Sequence, residues 1–402
     1  MIIGVETLIL HRSMTGVGNY LYNLLKALVE SETNIEFRGL DYVTWRKLDR
    51  QFFGEIAQAQ KKDAAKTTSD GELQLSALKR VRRFAHQSAI NVDVFRHIYR
   101  SIRPFQFTMS ARRQSLDLFH AFNYLPPADP GVPVLPVIYD LSFVRFPEAH
   151  PDDRLRQMRP LAKTVARASQ IQTISEFTRR EIASVYNYPI EQIFVAPPAA
   201  SEIFRPLGAD ITTTGITGFE LKRGNYLLAV GTLEPRKNLK TLIAAYSRVA
   251  TADRARMPLV IVGGAGWGDL ALPKATEQLV SSGQLRFLKG VSDAELRSLY
   301  EGARLMLLPS LYEGFGMPVV EAMACGTPVA HSADTAMDEI SGDLATRVAM
   351  LDVDAWTEAI NAAIATDAVV NDTAREKLIS RAALFGWHRS AGAVNAAYRK
   401  FA

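Results

Sequence analysis

Cysteine is nearly absent: Cys325 is the only one in 402 residues. A single thiol forms no intramolecular disulfide and no thiolate metal cluster, a composition that suits a reducing cytosol. Long apolar runs are missing too, since no stretch approaches the roughly 18 residues that a bilayer span needs. The N-terminus, Met1-Ile2-Ile3-Gly4-Val5, has no basic residues ahead of its apolar ones and soon reaches His11-Arg12-Ser13. It reads as a first strand rather than a signal peptide. The expectation is a cytoplasmic protein that does not cross a membrane. No repeat recurs at a fixed spacing of about 20 to 50 residues, which excludes solenoids and propellers.

What is present is ordinary in amount but uneven in placement. Apolar residues make up 48% of the chain and charged residues 22%, values that exclude disordered and collagen-like chains. The length favours two domains. The formal net charge is +5. Arg46 to Arg113, however, holds 15 Lys or Arg against 6 Asp or Glu, a local +9 that leaves −4 for the remainder. Within that stretch Val81, Phe84, Ser88, Val92, Phe95, Tyr99 and Ile102 recur at three- and four-residue spacing beside Lys79, Arg80, Arg82, Arg83, Arg96, Arg100 and Arg103. The pattern predicts a basic amphipathic helix. Such a helix either packs on its own domain with a solvated charged face or touches an anionic bilayer surface. It carries no nucleic-acid reading motif.

Short Val/Ile/Leu runs bounded by turn residues occur at Val134–Ile138, Ile171–Ile174, Tyr226–Val230, Leu259–Val262, Arg286–Leu288 and Leu305–Leu308. Each is followed by a longer helical pattern, which predicts parallel strands buried on both faces and an α/β class. Turn residues crowd between Ala199 and Gly224. The expected units are therefore residues 1–205, residues 206–380, and a segment 381–402 whose helix crosses back to the first unit. Both large units are expected to be Rossmann-like, with ligands at the carboxyl ends of their strands and the site in the cleft between them.

Two segments concentrate reactive side chains. Leu308 to Pro328 runs from a buried strand through a loop with Gly314 and Gly316 into a helix that Pro318 suits as a first-turn residue. A helix N-terminus there offers free backbone N–H groups to an anion or a sugar hydroxyl. Glu313 lies just before that turn and Glu321 one turn inside the helix. The second segment, Val230 to Leu239, places Arg236 and Lys237 on a loop directly after a strand. A guanidinium fork and an ammonium point charge in that position suit a diphosphate, and would neutralise charge as a leaving group departs. Asp352-Val353-Asp354 has the Asp-x-Asp form of a cation site, but it precedes a helical run for which Asp354 reads as the N-cap.

Together these strings resemble the retaining glycosyltransferases of the GT-B fold, specifically family 4. Glu313 and Glu321 match the family's E-x7-E signature, and Glu234-Pro235-Arg236-Lys237-Asn238 matches its phosphate loop. The similarity also covers Thr15-Gly16-Val17-Gly18-Asn19-Tyr20, Leu118-Phe119-His120-Ala121-Phe122-Asn123, Val137-Ile138-Tyr139-Asp140-Leu141-Ser142, Thr173-Ile174-Ser175-Glu176-Phe177-Thr178 and Phe385-Gly386-Trp387. The resemblance implies two Rossmann-like domains facing across a cleft, with the basic helical segment inserted in the first. It implies that Arg236 and Lys237 hold the donor diphosphate and that Glu321 binds the ribose. Glu313 and the residues Gly314, Phe315, Gly316 and Met317 would meet the transferred sugar and phosphate, largely through backbone N–H groups, with Thr232, Pro318 and Val319 completing the donor site. Gly16 and Gly18 would allow a close backbone approach to the phosphate, and His120 would sit beside the donor sugar. Asp140, Tyr139 and Asn123 fall on the acceptor side. Many relatives have His-Asp-Leu where this chain has Tyr139-Asp140-Leu141, so any role of that histidine is lost or altered here.

The activity implied is transfer of a hexose from a nucleotide diphosphate sugar to a growing glycan, with retention and without a metal or other cofactor. The strings look like bacterial O-antigen and exopolysaccharide mannosyltransferases, which ranks GDP-mannose above UDP-glucose or another UDP-hexose. A GT-B nucleotide-sugar epimerase and a non-catalytic, membrane-docked scaffold remain as alternatives. The implied partners are the donor, an acceptor carried on a polyprenyl diphosphate, and an anionic surface met by Lys79–Arg103. The corresponding location is peripheral, on the inner face of the plasma membrane.

Overall fold

The computed structural model of the chain describes residues 1–11, 16–31, 34–41, 44–66, 104–264, 266–366 and 372–401. The whole of the expected basic amphipathic helix, Lys79–Arg103, lies outside the described residues.

Two separate sheets organise the chain. The first has the order β3-β2-β1-β4-β5-β6-β7, from β1 (Ile2–Glu6), β2 (Glu36–Asp41), β3 (Thr44–Leu48), β4 (Leu118–Ala121), β5 (Val134–Ile138), β6 (Ile171–Thr173) and β7 (Ile193–Val195). Every neighbouring pair is parallel except β2 with β3, whose two-residue connection permits an antiparallel return. The second sheet is wholly parallel, in the order β10-β9-β8-β11-β12-β13. Its strands are β8 (Leu227–Val230), β9 (Leu259–Val262), β10 (Leu285–Leu288), β11 (Leu305–Leu308), β12 (Val329–Ser332) and β13 (Thr346–Val348). Leucine, isoleucine and valine fill the central strands because helices cover both faces: all four residues of β9 and of β11 are buried.

Each sheet reverses its strand order once, between β1 and β4 in the first and between β8 and β11 in the second. At such a reversal the loops leaving two adjacent strands part to opposite faces and open a crevice at the carboxyl ends. The loops after β8 and β11 are those that carry Arg236-Lys237 and Glu313.

The last helix, Trp387–Tyr398, packs on the helix Gly16–Glu30 and on β7 of the first sheet's domain. Trp387 meets the Tyr20 ring at 5.6 Å, Ser390 Oγ donates to the Pro197 carbonyl at 2.5 Å, and Asn395 Nδ2 donates to Ser31 Oγ at 3.2 Å. Among the described residues no helix is long and apolar enough to cross a membrane.

Candidate active site

Asn238 ties the two key loops together. Its backbone adopts φ 53°, and its side-chain amide donates to the carbonyls of Pro309 and Met350 at 3.0 and 2.7 Å. Leu311 N–H in turn donates to the Arg236 carbonyl at 2.9 Å. The loops after β8 and β11 are thereby locked side by side. Glu313 is 7% exposed. Its Oε1 accepts from Lys237 Nζ at 2.5 Å and from Ser310 Oγ at 2.7 Å, and its Oε2 accepts from Arg236 Nη1 at 3.0 Å. Arg236 also donates to the Tyr312 carbonyl and to Glu234 Oε1, each at 2.6 Å. Two cations and two carboxylates thus neutralise each other in a largely buried patch.

Burial pushes the Glu313 carboxyl upward, but the Lys237 and Arg236 charges outweigh it and hold the group at about 2. Burial likewise opposes the charge on Arg236, while Glu313, Glu234 and Asp140 keep the guanidinium firmly protonated. Asp140, at the carboxyl end of β5 in the other domain, is therefore close enough to act on the cluster. Its Oδ1 also accepts from Ser142 N–H and Ser142 Oγ at 3.1 and 2.8 Å, capping a short helical turn.

Glu321 stands apart, one turn into the helix Met317–Ala324. Tyr300 Oη donates to its Oε2 at 3.0 Å. Burial pushes this carboxyl up to about 8, against the Tyr300 hydrogen bond and with a further push from Asp293. The two glutamates of one motif are thus tuned in opposite directions. Glu313 is held as an anion by its cations, whereas the Glu321 carboxyl is pushed toward its protonated form.

The first domain closes directly on this cluster. A Cβ on Gly314 would run into the Tyr139 carbonyl and lie 2.9 Å from Asp140 Cβ, so only glycine allows the contact. Leu141 N–H donates to Tyr312 Oη at 3.1 Å, and that hydroxyl donates to Glu181 Oε2 at 3.2 Å. Glu339, from the second domain, accepts from Glu176 N–H and Phe177 N–H at 3.1 and 3.0 Å, capping the first-domain helix Glu176–Tyr186. Gly316, at φ 116°, is the N-cap of the helix Met317–Ala324, and a Cβ there would meet Met337 Cγ at 2.7 Å. Met317 and Pro318 form the half-buried first turn of that helix.

Several expectations change. His120 is 0% exposed, with Nδ1 2.6 Å from Tyr398 Oη and its ring against Phe122. Burial lowers the imidazole to about 3, against an opposing contribution from Gln172, so it is neutral and walled off from the cleft. Its residue type suited a sugar site, but the pleat of β4 turns it into the core. The Tyr139 side chain also points inward, its hydroxyl donating to the Phe122 carbonyl at 2.7 Å, and only its backbone reaches the second domain. Phe315 packs on Phe385 and Val319 is fully buried, so both have only backbone groups left for a ligand. A Cβ on Gly16 would meet no atom within 4 Å, so no described neighbour requires glycine there, while Gly18 is buried inside the first helix. Thr232 is exposed on the β8 loop. Asn123, exposed at the end of β4, lines a first-domain cavity of about 130 Å³ with Glu6 and Val17. The cap of the helix Val353–Ala365 is Asp352, which accepts from Ala355 N–H at 2.9 Å. Asp354 instead lies inside the first turn and pairs with Arg248. Residues that the motifs did not single out for the site include Glu234, Ser310, Tyr312 and Glu339. Of these, Glu234 alone had a signal, its place beside Pro235 in the phosphate loop.

Comparison by sequence converges on one chemistry, and comparison by structure on one fold. A family model described as Glycosyl transferases group 1 matches residues 218–384. An O-antigen chain mannosyltransferase B of Escherichia coli is 30% identical over 378 residues, 93% of this chain and 93% of that protein. A D-inositol 3-phosphate glycosyltransferase of Mycolicibacterium paratuberculosis is 28% identical over 231 residues, 55% of this chain and 50% of that one. Among solved structures, sucrose-phosphate synthase of Thermosynechococcus elongatus superposes with a TM-score of 0.67 at 19% identity, covering 100% of this chain and 98% of that one. HepE of Anabaena, in complex with UDP and glucose, gives 0.65 at 15% identity, covering 99% of each chain.

Proposed function

The chain belongs to the group 1 glycosyltransferases and has the GT-B fold, and from that premise we propose that it is a family 4 retaining enzyme moving mannose from GDP-mannose onto a glycan hydroxyl. The observation that carries this reading is the Arg236–Lys237–Glu313 cluster at the strand-order reversal. The mannose donor follows from the full-length similarity to an O-antigen mannosyltransferase.

In this reading the cluster exchanges partners. An incoming diphosphate takes the Arg236 fork and the Lys237 ammonium, which are already desolvated and need little reorganisation. Glu313, released from one or both, turns its carboxylate to the hydroxyls of the transferred sugar. The N–H groups at the start of the helix Met317–Ala324 face the same phosphate. As the bond between the anomeric carbon and the diphosphate oxygen breaks, the acceptor oxygen attacks the same face. Its proton passes to the departing phosphate, and the cations stabilise the charge on that leaving group. Glu321 takes the ribose hydroxyls, in a form that must shed its proton to accept two hydrogen bonds.

The acceptor is read as lipid-carried because residues 46–113 concentrate a net +9, a charge suited to an anionic bilayer. Incubation with GDP-mannose or UDP-glucose and an octyl α-mannoside, followed by proton NMR of the product, tests the whole reading. An α-mannosyl product formed from GDP-mannose is expected. A β-linked product refutes retention, and transfer from UDP-glucose alone refutes the mannose assignment.

A further inference from the structure

The loop that leaves β9 reads Gly263-Gly264-Ala265-Gly266-Trp267-Gly268. Its glycines let it lie directly on the phosphate loop. A Cβ on Gly263 would collide with the Gly231 carbonyl and one on Gly266 with the Leu233 carbonyl, while Gly268, at φ +76°, would bring a Cβ to 2.8 Å from Pro235 Cγ. Leu233 N–H donates to the Gly264 carbonyl at 3.0 Å. The chain is thereby held against the segment that bears Arg236 and Lys237, and its one large side chain, Trp267, is thrown across to the first domain. There the indole N–H donates to the Ala149 carbonyl at 2.9 Å, while the residue stays 40% exposed. The polar end of the indole is occupied and part of its apolar surface remains in solvent.

His150 faces it from the first domain, with ring centroids 6.4 Å apart and planes inclined by 33°. Burial lowers the imidazole pKa, and the charges of Asp140, Arg236, Glu234 and Arg154 all act on it. Its Nε2 is buried and has no hydrogen-bond partner among the described residues. Arg154 lies beside it, with its guanidinium 5.2 Å over the Tyr124 ring. An aromatic wall thus borders the charged cluster on the side that faces the first domain, framed by Asp140, Arg154 and an unsatisfied imidazole nitrogen.

We propose that Trp267 and His150 form the wall of the acceptor subsite, against which the hexose ring receiving the new bond is stacked. A pyranose presents an apolar face of C–H groups and an edge of hydroxyls. An open indole surface ringed by hydrogen-bonding side chains complements both. The position also fits the reaction, since His150 feels the charges of both Arg236 and Asp140 and the Trp267 loop lies on the phosphate loop itself. The inference rests on the transferase reading above, because it takes the cluster as the place where the donor's diphosphate sits.

The test separates Trp267→Ala from Trp267→Phe. Phenylalanine keeps a stacking face but loses the bond to Ala149, whereas alanine loses both. With GDP-mannose as donor and octyl α-mannoside as acceptor probe, W267A is expected to raise the acceptor KM by about tenfold, the size of one aromatic contact. W267F should stay near wild type, and the donor KM should be unmoved in both. Equal losses in W267A and W267F would make Trp267 a latch between domains and overturn the proposal. So would a rise in donor KM, which would place the nucleotide base on the indole. If the wild type transfers no hexose from either GDP-mannose or UDP-glucose, the transferase reading itself fails, and the wall is judged by binding alone. In that case methyl α-mannoside, methyl α-glucoside and methyl α-galactoside are titrated while tryptophan emission of wild type and W267F is compared. A quench present only in the wild type supports the wall, and none with any hexoside overturns it.

Discussion

The two sheets share an order of reversal yet equip the cleft differently. The second domain meets it with full charges: Arg236, Lys237, Glu234 and Glu313, locked by Asn238 onto two strand ends. The first meets it mostly with backbone: the carbonyl of Tyr139 under Gly314, the N–H of Leu141 on Tyr312, and the carbonyl of Ala149 on Trp267. Several of its polar side chains are turned inward, although Asp140 and Glu181 still reach the second domain. Gln172 Nε2 donates to Tyr20 Oη at 2.7 Å, Tyr20 Oη donates to the Ala196 carbonyl at 2.5 Å, and His120 sits on Tyr398. A diphosphate needs fixed cations before it arrives, because charges held in place cost little reorganisation when bond breaking begins. A neutral sugar is recognised by shape and by hydrogen bonds, which a backbone wall and one aromatic face can supply.

The contrast breaks first at Arg236. Arg236→Ala should lower kcat on the order of 10²-fold or more if the second domain supplies the charge, with near-UV circular dichroism unchanged. Turnover close to wild type would remove the cation from the mechanism.

Glu321 sharpens the comparison through pH. Its carboxyl is pushed up to about 8 from an ordinary 4.5, so the folded chain keeps a proton that the unfolded chain gives up between those values. The corresponding stability is fully present below about 4.5 and is lost as pH rises through 8. Glu321→Gln should therefore melt with the wild type at pH 5 and several degrees above it at pH 9. Parallel melting curves across that range would refute the raised carboxyl pKa. Nucleotide binding at pH 7 should also release protons, visible as a buffer-dependent heat in calorimetry.

The smallest effect belongs to the first domain. Tyr398→Phe removes one buried hydrogen bond at His120 and should cost about 1 kcal/mol in denaturant unfolding. Because that imidazole is already neutral, the pH profile of turnover should stay where it was. A shifted profile would bring His120 back into the reaction.

Much of the second domain was legible in the sequence. The runs Leu259–Val262 and Leu305–Leu308 coincide with β9 and β11, because a strand buried on both faces needs an unbroken apolar run and ends where the first turn residue appears. Arg236, Lys237 and Glu313 were legible for the same reason, as charges placed directly after such strands. His120, Tyr139 and Phe315 were not. Both faces of a parallel sheet are covered, so alternation along β4 cannot tell a cleft-facing side chain from a core-facing one at His120, while Tyr139 and Phe315 lie in the segments after β5 and β11, where no periodicity applies. The cap fell two residues from its expected place because Asp352 and Asp354 are chemically equal, and only the backbone decides which precedes the helix. Glu339 and Trp267 were invisible for another reason: each acts on the opposite domain, and no local pattern encodes a partner so far along the chain.

One consequence follows from the final helix lying on the first domain. The polypeptide passes between the two lobes twice, outward after β7 and back before Trp387, so they are joined by two connections instead of one tether. A single tether permits swivelling about any direction. Two connections restrict that freedom more than one does. Gly314 and Glu339 therefore keep seats on the first domain that both connections help to hold, with Asp140 beside Arg236.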